Sequence, residues 1–465
     1  MIRHLFIFTL ILGVIACGGY RSLPLVTEPA DWKTQVIPQT PSDDSGDAEA
    51  GFQYVINGDY IGSGVPMALF PERMANRSSD TLLNRLGLNE NLPYVVTAFE
   101  AANGIPVLNG NCFTCHAGKI EDEVILGLGN PFSDFTRNLT PAAKALDLGV
   151  QLKFGKHSPE WEAYESFSQY FEAIGPYIQT EKVGVNPAAR LAEACAMYRD
   201  PKDLSYTFNP TYPMHRYTLA SDVPPLWNVK KKNALYYTAV GRGDFSKLIF
   251  QASVLGIPDT IAARKAVDHF VDVVAWLKSL TPPPFPSQIN SNLAAEGAIL
   301  FNQHCSKCHG TYGPDGNYPN KVVSLSLIGT DPYYASYAVE APIVAWYNKS
   351  WFATSSPNSW FEPVAGYIAP PLDGIWATAP YLHNGSVPNL WTLLKSSERP
   401  HQWDRNPQTA EYDYEQLGWK VTHFERNSKY SYETGLPGYG NQGHTFGDQL
   451  EDQERIAVIE YLKTL

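Results

Sequence analysis

Two short cysteine motifs carry the chemistry that this sequence indicates most directly. Each has two thiols three positions apart and a histidine directly after the second thiol, at Cys112, Cys115 and His116 and again at Cys305, Cys308 and His309. Thiols at this spacing can each add across one vinyl group of a single haem, and the adjacent histidine can bind its iron from one side. The protein then controls the two axial positions and the surrounding polarity. The motifs therefore predict a c-type cytochrome with two covalently bound haem c groups.

The same cysteine pairs also occur in zinc sites and in dithiol redox sites. A structural zinc site needs two such pairs in one compact unit, whereas Cys112 and Cys305 lie in different halves of the 465-residue chain. A thioredoxin-like dithiol needs a βαβ setting and gives no reason for a histidine after each pair. Covalent haem attachment accounts for both features.

The first fifty residues predict export and a membrane anchor. A basic start precedes an apolar run from Leu5 to Ala16, which is too short to span a bilayer and fits a signal peptide of residues 1–16. The following Cys17 completes a segment that resembles the lipobox of bacterial lipoproteins, which implies a lipid on its sulfur. We expect the periplasmic face of a bacterial membrane, the outer membrane in particular. An ordinary signal peptide is the alternative, and it predicts export as well.

The remaining chain predicts a mainly α fold with an internal duplication. Residues 17–50 are rich in Pro, Asp and Ser and predict a lipidated, flexible tether. Each later half begins with a haem motif and closes with an aromatic-Leu-Lys-Ser/Thr-Leu helix end, at 276–280 and 461–465. We therefore expect two tandem cytochrome-c-like haem domains, residues 51–284 and 285–465, with long loop insertions and little β structure.

Helical periodicity and capping residues predict the elements that position the motifs. The predicted helices are 81–88, 93–102, 158–174, 259–280 with Asp259 as N-cap, and 293–304. Gly297 and Phe301 lie four residues apart in the last of these helices, hence on one face. A glycine there allows the C-terminal helix, which carries Tyr461, to cross closely. That crossing is what a cytochrome c core requires.

Charge and cysteine count limit the other possibilities. The formal net charge is −12, which makes nucleic acid an unsuitable partner and suits a basic redox partner protein. With Cys17 lipidated and four cysteines in thioethers, the six cysteines leave only Cys195. No disulfide framework is expected, and Cys195 is predicted to be a small buried apolar residue.

The segment from Ala379 to Ser386, Ala-Pro-Tyr-Leu-His-Asn-Gly-Ser, resembles one that lines the second haem in the di-haem cytochrome c peroxidase superfamily. The chain is most similar to the branch that contains the bacterial rubber oxygenases, from about Gly104 to Leu465. The likeness rests on segments 111–118, 222–244, 318–320, 329–332, 374–389 and 440–447. This chain has Pro370 where that branch leads one to expect a basic residue.

The two axial positions opposite the motif histidines decide how each iron is used. No methionine follows Cys305, so the second iron can take only a histidine from its own half, and the candidates are His383, His401, His423 and His444. The resemblance implies that His444 replaces the methionine ligand of the peroxidases. Two imidazoles give a saturated iron suited to electron transfer. For the first iron the choice stays open between an empty position and His157, His215, His269, Met197 or Met214.

Trp227 is the candidate for a role between the haems. An indole is large, polarisable and has one N–H donor, and Trp227 follows Pro224-Pro225 within a segment that matches the branch. It is predicted to lie between the domains and to carry an electron path. A core tryptophan without electronic role is the alternative.

These observations predict an exported di-haem oxidoreductase. In the rubber oxygenase branch the N-terminal haem activates dioxygen, and in the peroxidases it admits hydrogen peroxide, so the resemblance implies a small oxidant at this haem. The bis-histidine C-terminal haem is predicted to transfer electrons. The alternative is a lipid-anchored periplasmic electron carrier with both irons capped and no turnover of its own.

Overall fold

The structure is a computed structural model that describes residues 25, 33–40, 45–70, 82–214, 219–421 and 428–465. Several sequence predictions fall outside these residues: the signal peptide, the lipid on Cys17, the start of the predicted helix at Thr81, and the candidate ligands His215 and His423.

The predicted fold class, mainly α with two tandem haem domains and little β, is wrong. Helices form 40% of the structure and strands 13%, so the molecule is a mixture of α and β structure. Within the described residues the strands form six small sheets, all with antiparallel pairing. The strands are short, and their partners are either close in sequence, as for Ala117–Ile120 with Glu123–Leu126, or remote, as for Thr34–Val36 with Lys321–Ser324.

The strands, grouped by sheet, lie at these positions. The three-stranded sheets are Thr34–Val36, Lys321–Ser324 and Gly366–Ile368, and Val65–Pro66, Pro106–Gly110 and Val96–Glu100. The two-stranded sheets are Ala117–Ile120 with Glu123–Leu126, Gly241–Gly243 with Ser359–Phe361, Gln402–Asp404 with Ser431–Glu433, and Tyr412–Asp413 with Gly418–Trp419.

The α-helices differ widely in length. The longer ones are Ala48–Asn57, Thr140–Phe154, Pro159–Ile174, Ala188–Met197, Thr260–Ser279, Ser291–His304, Tyr333–Glu340, Pro342–Lys349 and Asp452–Leu462. Shorter helices are Phe113–His116, Phe245–Phe250, Ser306–His309, Leu325–Ile328, Trp351–Thr354 and Leu390–Leu394.

Two helix crossings at glycine organise the packing. Gly297 lies where Ser291–His304 crosses the C-terminal helix, and a Cβ at this position would be 1.9 Å from the Ala457 carbonyl oxygen and 2.9 Å from the Cβ of Tyr461. The predicted close crossing is confirmed. Gly51 has the same role nearer the N-terminus, since its Cβ would be 2.0 Å from the Asp272 carbonyl oxygen. Only glycine permits such close backbone approach.

Local capping signals were reliable guides to the helices. The side chain of Asp259 accepts hydrogen bonds from the N–H groups of Ile261 and Ala262 and caps the helix Thr260–Ser279 as predicted.

The predicted helix at 93–102 is wrong, because Val96–Glu100 is a strand paired with Pro106–Gly110. The predicted helix at 81–88 is wrong over its described part, which contains turns and the start of a 3-10 helix.

Part of the predicted flexible tether is folded. Thr34–Val36 adds to the edge of the Lys321–Ser324 strand, and the side chain of Ile37 is only 1% exposed. The helix Ala48–Asn57 begins within the same predicted tether. Residues 33–40 gain backbone hydrogen bonds and an apolar contact from distant parts of the chain, which their composition alone does not indicate.

Two large apolar cores support the motifs, and each draws on both halves of the sequence. The first core surrounds Phe113 and Trp276 and includes Tyr337 and Trp346. The second core surrounds Phe301 and also includes Ile120, Leu128 and Trp227 from the N-terminal half. The domain boundary at residue 284 stays a prediction, and contacts across it are extensive. Among the described residues, no helix has the length and apolar character that crossing a bilayer requires.

Candidate haem sites

The first cysteine motif forms one helical turn held by Asn111. The Asn111 side chain accepts a hydrogen bond from the Phe113 N–H at 3.0 Å and donates to the Tyr94 carbonyl at 2.8 Å. Phe113 is completely buried and meets the ring of Trp276 edge-on, with ring centres 6.0 Å apart. This packing leaves Cys112, Cys115 and His116 on the partly exposed side of the turn. The local arrangement therefore presents both thiols and the imidazole together.

The His116 backbone is connected to the segment that carries Trp227. The Gly127 N–H donates to the His116 carbonyl at 2.8 Å, and the Gly127 carbonyl accepts from the Leu226 N–H at 2.8 Å. Gly127 has φ +90°, a conformation that favours glycine. Burial lowers the pKa of His116 to about 4, although the neighbouring Pro224 backbone acts to raise it. The imidazole is therefore neutral, as a metal ligand must be.

The second motif has a well-defined hydrogen bond to its histidine. His309 Nδ1 donates to the Pro370 carbonyl at 2.8 Å, which directs Nε2 away from the backbone. Tyr312 supports the same segment, because its hydroxyl donates to the His309 carbonyl at 3.1 Å and accepts from the Leu372 N–H at 2.6 Å. Burial lowers the pKa of His309 as well. The hydrogen bond thus orients the ring, and burial disfavours its charged form.

The structure brings one of the candidate histidines, His444, to His309. The two ring centres are 6.1 Å apart with the ring planes inclined by 63°. A metal ion between two imidazoles, with metal–nitrogen bonds of about 2.0 Å, places the ring centres about 6 Å apart. Loss of hydration in the interior lowers the pKa of His444 to about 3, and His444 Nδ1 is buried without a partner in the described structure. The residues present therefore fit an iron held between two histidines.

His383 lies in an aromatic pocket. Its ring stacks on Tyr367 with centres 4.0 Å apart and is flanked by Tyr334 and Tyr237 at 6.2 and 6.4 Å. His383 is 6% exposed and its Nε2 has no hydrogen-bond partner among the described residues. The other described candidate for the second iron, His401, is exposed. The ring contacts of His383 are with these tyrosines, whereas the ring contact of His309 among the described residues is with His444.

Trp227 is fully buried between the two proline-containing segments. Its Nε1 donates to the Asp373 carbonyl at 2.8 Å, and the neighbouring Asn228 side chain donates to the Pro371 carbonyl at 3.1 Å. An ion pair of 2.7 Å joins Lys231 to Asp373. Because Pro370 accepts the bond from His309, Trp227 lies on a continuous series of contacts between the segments next to the two motif histidines.

The candidates for the sixth ligand of the first iron are separated by exposure. His157 and His269 are on the surface, and the His269 ring stacks on Tyr54 with centres 4.5 Å apart. Met197 is 1% exposed and Met214 is partly buried. Exposure therefore disfavours both histidines and favours the two methionines or an empty position among the described candidates.

The sequence contains a repeat that the motif analysis missed. Pro-Pro-Leu occurs at 224–226 and again at 370–372, in each case where the chain passes the motif histidine. A second pair of matching loops follows, with backbone bridges Leu235–Gly241 and Tyr381–Val387. A search for short internal repeats downstream of each cysteine motif would have found the first repeat. The duplication is therefore local, and it does not extend to two copies of one helical domain.

A buried carboxylate in the first half was also missed. Glu193 is fully buried, and its Oε2 accepts from Arg190 at 2.6 Å and from the Tyr337 hydroxyl at 2.7 Å. Its Oε1 has no partner among the described residues, and burial raises the pKa of Glu193. The spacing of Arg190 and Glu193, three apart on one helix, was the available signal.

Two buried guanidinium groups have unpartnered N–H donors. Arg242 is 3% exposed with no hydrogen bond from Nη1 or Nη2, and Arg405 is 1% exposed with none from Nε or Nη1, among the described residues. Buried guanidinium groups normally pair with anions or backbone carbonyls. Such donors can bind the carboxylate groups of a cofactor, which agrees with a haem-containing interior.

The cysteine turns and oriented histidines define a cytochrome c-like haem protein, and comparison with protein families supports this class. Residues 366–404 match the family model described as RoxA-like, cytochrome c-like. A cytochrome c-like segment implies covalently bound haem c. The match includes the Pro370–Leu372 segment and His383.

Two proteins of Sinorhizobium fredii are similar in sequence. The protein y4iJ is 31% identical over 253 residues, which covers 40% of this chain and 41% of the relative. The protein y4iM is 26% identical over 294 residues, which covers 52% of this chain and 64% of the relative. Both carry the description "uncharacterized". The chain thus matches less than two thirds of the length of either relative.

Proposed function

We propose that this protein is an exported di-haem c-type cytochrome in which the second haem transfers electrons and the first reacts with a small oxidant. The observation that carries the proposal is the placement of His444 opposite His309, with ring centres 6.1 Å apart. Cys305 and Cys308 would hold the second haem covalently, and Cys112, Cys115 and His116 the first. A haem at each position would supply one-electron redox chemistry.

The histidines available at the two sites differ, which gives the sites different roles in this proposal. His309 and His444 would both bind the iron of a haem at the second site, and the bond from His309 Nδ1 to Pro370 fixes the ring and would raise its basicity as a ligand. At the first site His116 would bind the iron, and among the described candidates for its opposite side His157 and His269 are exposed. We infer that its opposite face admits dioxygen, with hydrogen peroxide as the competing oxidant.

Trp227 supports electron exchange between the sites in this proposal. Trp227 follows Pro224 and Pro225 in the first proline segment, and its indole N–H donates to the Asp373 carbonyl in the second. The residue therefore connects the two segments. Complete burial keeps the ring dry and its position fixed. The net charge of −12 favours a basic redox partner protein, and the lipobox-like segment supports attachment to a bacterial membrane through Cys17.

Exogenous ligand binding tests the proposal. The oxidised wild type should bind one cyanide, and the reduced protein one carbon monoxide, per molecule. His444→Ala should convert one low-spin haem to high spin and raise the ligand stoichiometry to two. His401→Ala, which removes an exposed histidine, is the matched control and should behave as wild type.

Two other outcomes would support the alternative function or the alternative ligand. A wild type that binds no ligand in either redox state would be the electron carrier with both irons capped. If His383→Ala removes the low-spin signal and His444→Ala does not, the ligand is His383 and the stacked ring must turn out of its pocket.

A further inference from the structure

The side chain of Arg399 is hydrogen-bonded to the backbone of the loop that carries His444. A guanidinium has five N–H donors, and each nitrogen of Arg399 donates to backbone carbonyls at 2.6–3.1 Å. The acceptors are Thr392 for Nε, Asn441 and Gly443 for Nη1, and Leu393 and His444 for Nη2. Arg399 is 9% exposed. It therefore joins the end of one helix to the residues around His444 through backbone contacts alone.

The His444 backbone needs such support because of its conformation. His444 has φ +46°, in the left-handed region that side chains with a Cβ rarely adopt, and Gly443 before it has φ +74°. A Cβ on Gly443 would be 2.1 Å from the Gly329 carbonyl carbon, so the loop passes directly against residues 329–330. The His444 N–H donates to the Ile328 carbonyl at 2.7 Å. The N–H is thus held by Ile328 and the carbonyl by Arg399.

The other carbonyl groups that accept hydrogen bonds from Arg399 belong to a neighbouring helix. Thr392 and Leu393 belong to the short helix Leu390–Leu394, whose last carbonyls have no partner within the helix. A cation at a helix C-terminus is favourable, and the planar fork of arginine can reach several carbonyls at once. The guanidinium group of Arg399 is therefore hydrogen-bonded to both the helix and the loop that carries His444.

We propose that Arg399 is a positioning residue for the second haem, holding the His444 imidazole opposite His309. This inference rests on the proposed role of His444 as an axial ligand. No hydrogen bond or ring contact joins Arg399 to the imidazole rings or the cysteine motif among the described residues, so it holds residues 443 and 444 through their backbone. Burial is the main cause of the lowered pKa of His444, and the positive charge of Arg399 adds to it. An arginine that only stabilised the fold would leave the state of the iron unchanged.

The full-length haem-loaded protein provides the test. Arg399→Gln should convert a substantial part of the second haem to high spin and raise cyanide stoichiometry from one toward two per molecule. Arg399→Lys keeps a cation but cannot span all five carbonyls, and it should fall between Arg399→Gln and wild type. Arg455→Gln is the matched control, because Arg455 is 2% exposed and donates to the Leu394 and Leu450 carbonyls but to none at 441–444. It should unfold more easily with a wild-type spectrum.

Imidazole rescue separates positioning from general damage. His444→Gly should open the second iron to added imidazole, whose binding no longer depends on the loop. Adding Arg399→Gln to His444→Gly should then leave the imidazole Kd unchanged within about twofold, as expected when the two residues act in one step. A tenfold weaker Kd in the double variant would overturn the positioning role. If Arg399→Gln does not accumulate, Arg399→Lys replaces it in both measurements, alone for the spectrum and combined with His444→Gly for the imidazole Kd.

The failures of the two proposals differ. A low-spin spectrum that persists in His444→Gly without imidazole removes His444 as a ligand and the proposed function with it. A spectrum lost in His444→Gly but kept in both Arg399 variants contradicts only the role of Arg399.

Discussion

Trp227 is the residue through which the two proline segments are hydrogen-bonded. Phenylalanine at this position keeps most of the ring but removes the N–H that donates to Asp373 at 2.8 Å. Trp227→Phe should slow electron exchange between the haems, leave both optical spectra nearly unchanged and lower stability by about 1 kcal/mol. Flash photolysis of the carbon monoxide complex measures the exchange rate.

Trp403→Phe is a suitable control for that experiment. Trp403 is 1% exposed and its Nε1 also donates to a backbone carbonyl, that of Ser386, at 3.2 Å. It should lose similar stability without slowing the exchange. If the rate of electron exchange is equal in Trp227→Phe and the wild type, Trp227 has only a structural role.

Asp222 is a buried carboxyl whose charge state affects stability. Burial raises the pKa of Asp222 to about 7, although Arg405 nearby acts to lower it. The unfolded chain has a pKa of about 3.9 at this residue, so the folded protein binds more protons between these values and its stability falls as pH rises from about 4 to about 7. Asp222→Asn should remove this decline, which amounts to a few kcal/mol at about 1.4 kcal/mol for each pKa unit. Urea unfolding at several pH values measures it.

Asp134→Asn separates this effect from general titration. Asp134 is only slightly buried, and hydrogen bonds from Lys429 and Thr136 outweigh that burial and lower its pKa to about 2. Its contribution to stability is present above about pH 4 and lost as pH falls. Asp134→Asn should therefore leave the decline between pH 4 and 7 intact, and a variant that flattens it would remove Asp222 as the cause.

At the scale of elements, the crossing of the helices Ser291–His304 and Asp452–Leu462 determines where Cys305 begins its turn. Gly297→Ala places a methyl group 1.9 Å from the Ala457 carbonyl oxygen, so the helices must separate. We expect a loss of about 2 kcal/mol or more in the free energy of unfolding. Thermal and urea unfolding, followed by the far-ultraviolet circular dichroism, measure the loss.

Gly149→Ala is the comparison within another helix. Gly149 lies inside Thr140–Phe154, and its Cβ would meet only Leu69 Cδ1, at 3.8 Å. Alanine there should stabilise the protein by about 0.5–1 kcal/mol, because it lowers the backbone entropy lost on folding. If both substitutions changed stability by the same amount and sign, the crossing at Gly297 would have no special importance.

At the scale of the whole molecule, the number of haems distinguishes the proposal from simpler cytochromes. The intact mass of the protein should exceed that of the polypeptide by two haem groups, with lipid added where Cys17 is present. Cys305→Ala with Cys308→Ala should leave one covalent haem, whereas Cys195→Ala should retain two, since Cys195 is buried and belongs to neither motif. A wild-type mass with one haem or with bound zinc contradicts the di-haem assignment.

The two cores make the sites dependent on each other. Each core contains residues from both halves of the sequence, and Trp227 lies in the second core although it follows the first motif. Side chains that share packing contacts are expected to unfold together. We therefore expect loss of one haem to lower the stability of the other site.

The sequence by itself determined what depends on near neighbours along the chain. Two cysteines and a histidine within five residues predict covalent haem attachment from the local sequence, and Asp259 caps its helix through N–H groups two and three residues away. Gly297 likewise indicated a close crossing from its position on a helix face. These features need no knowledge of distant segments.

Only the tertiary structure decided which distant groups meet. Four histidines were candidates to face His309, and the choice follows from a left-handed turn at 443–444 held by Arg399, which periodicity does not indicate. The strand at 34–36 was missed for the same reason, because three residues give little signal by themselves and their partner at 321–324 is remote in sequence. Trp227 contacts Asp373, 146 residues away, because both segments meet at the second core.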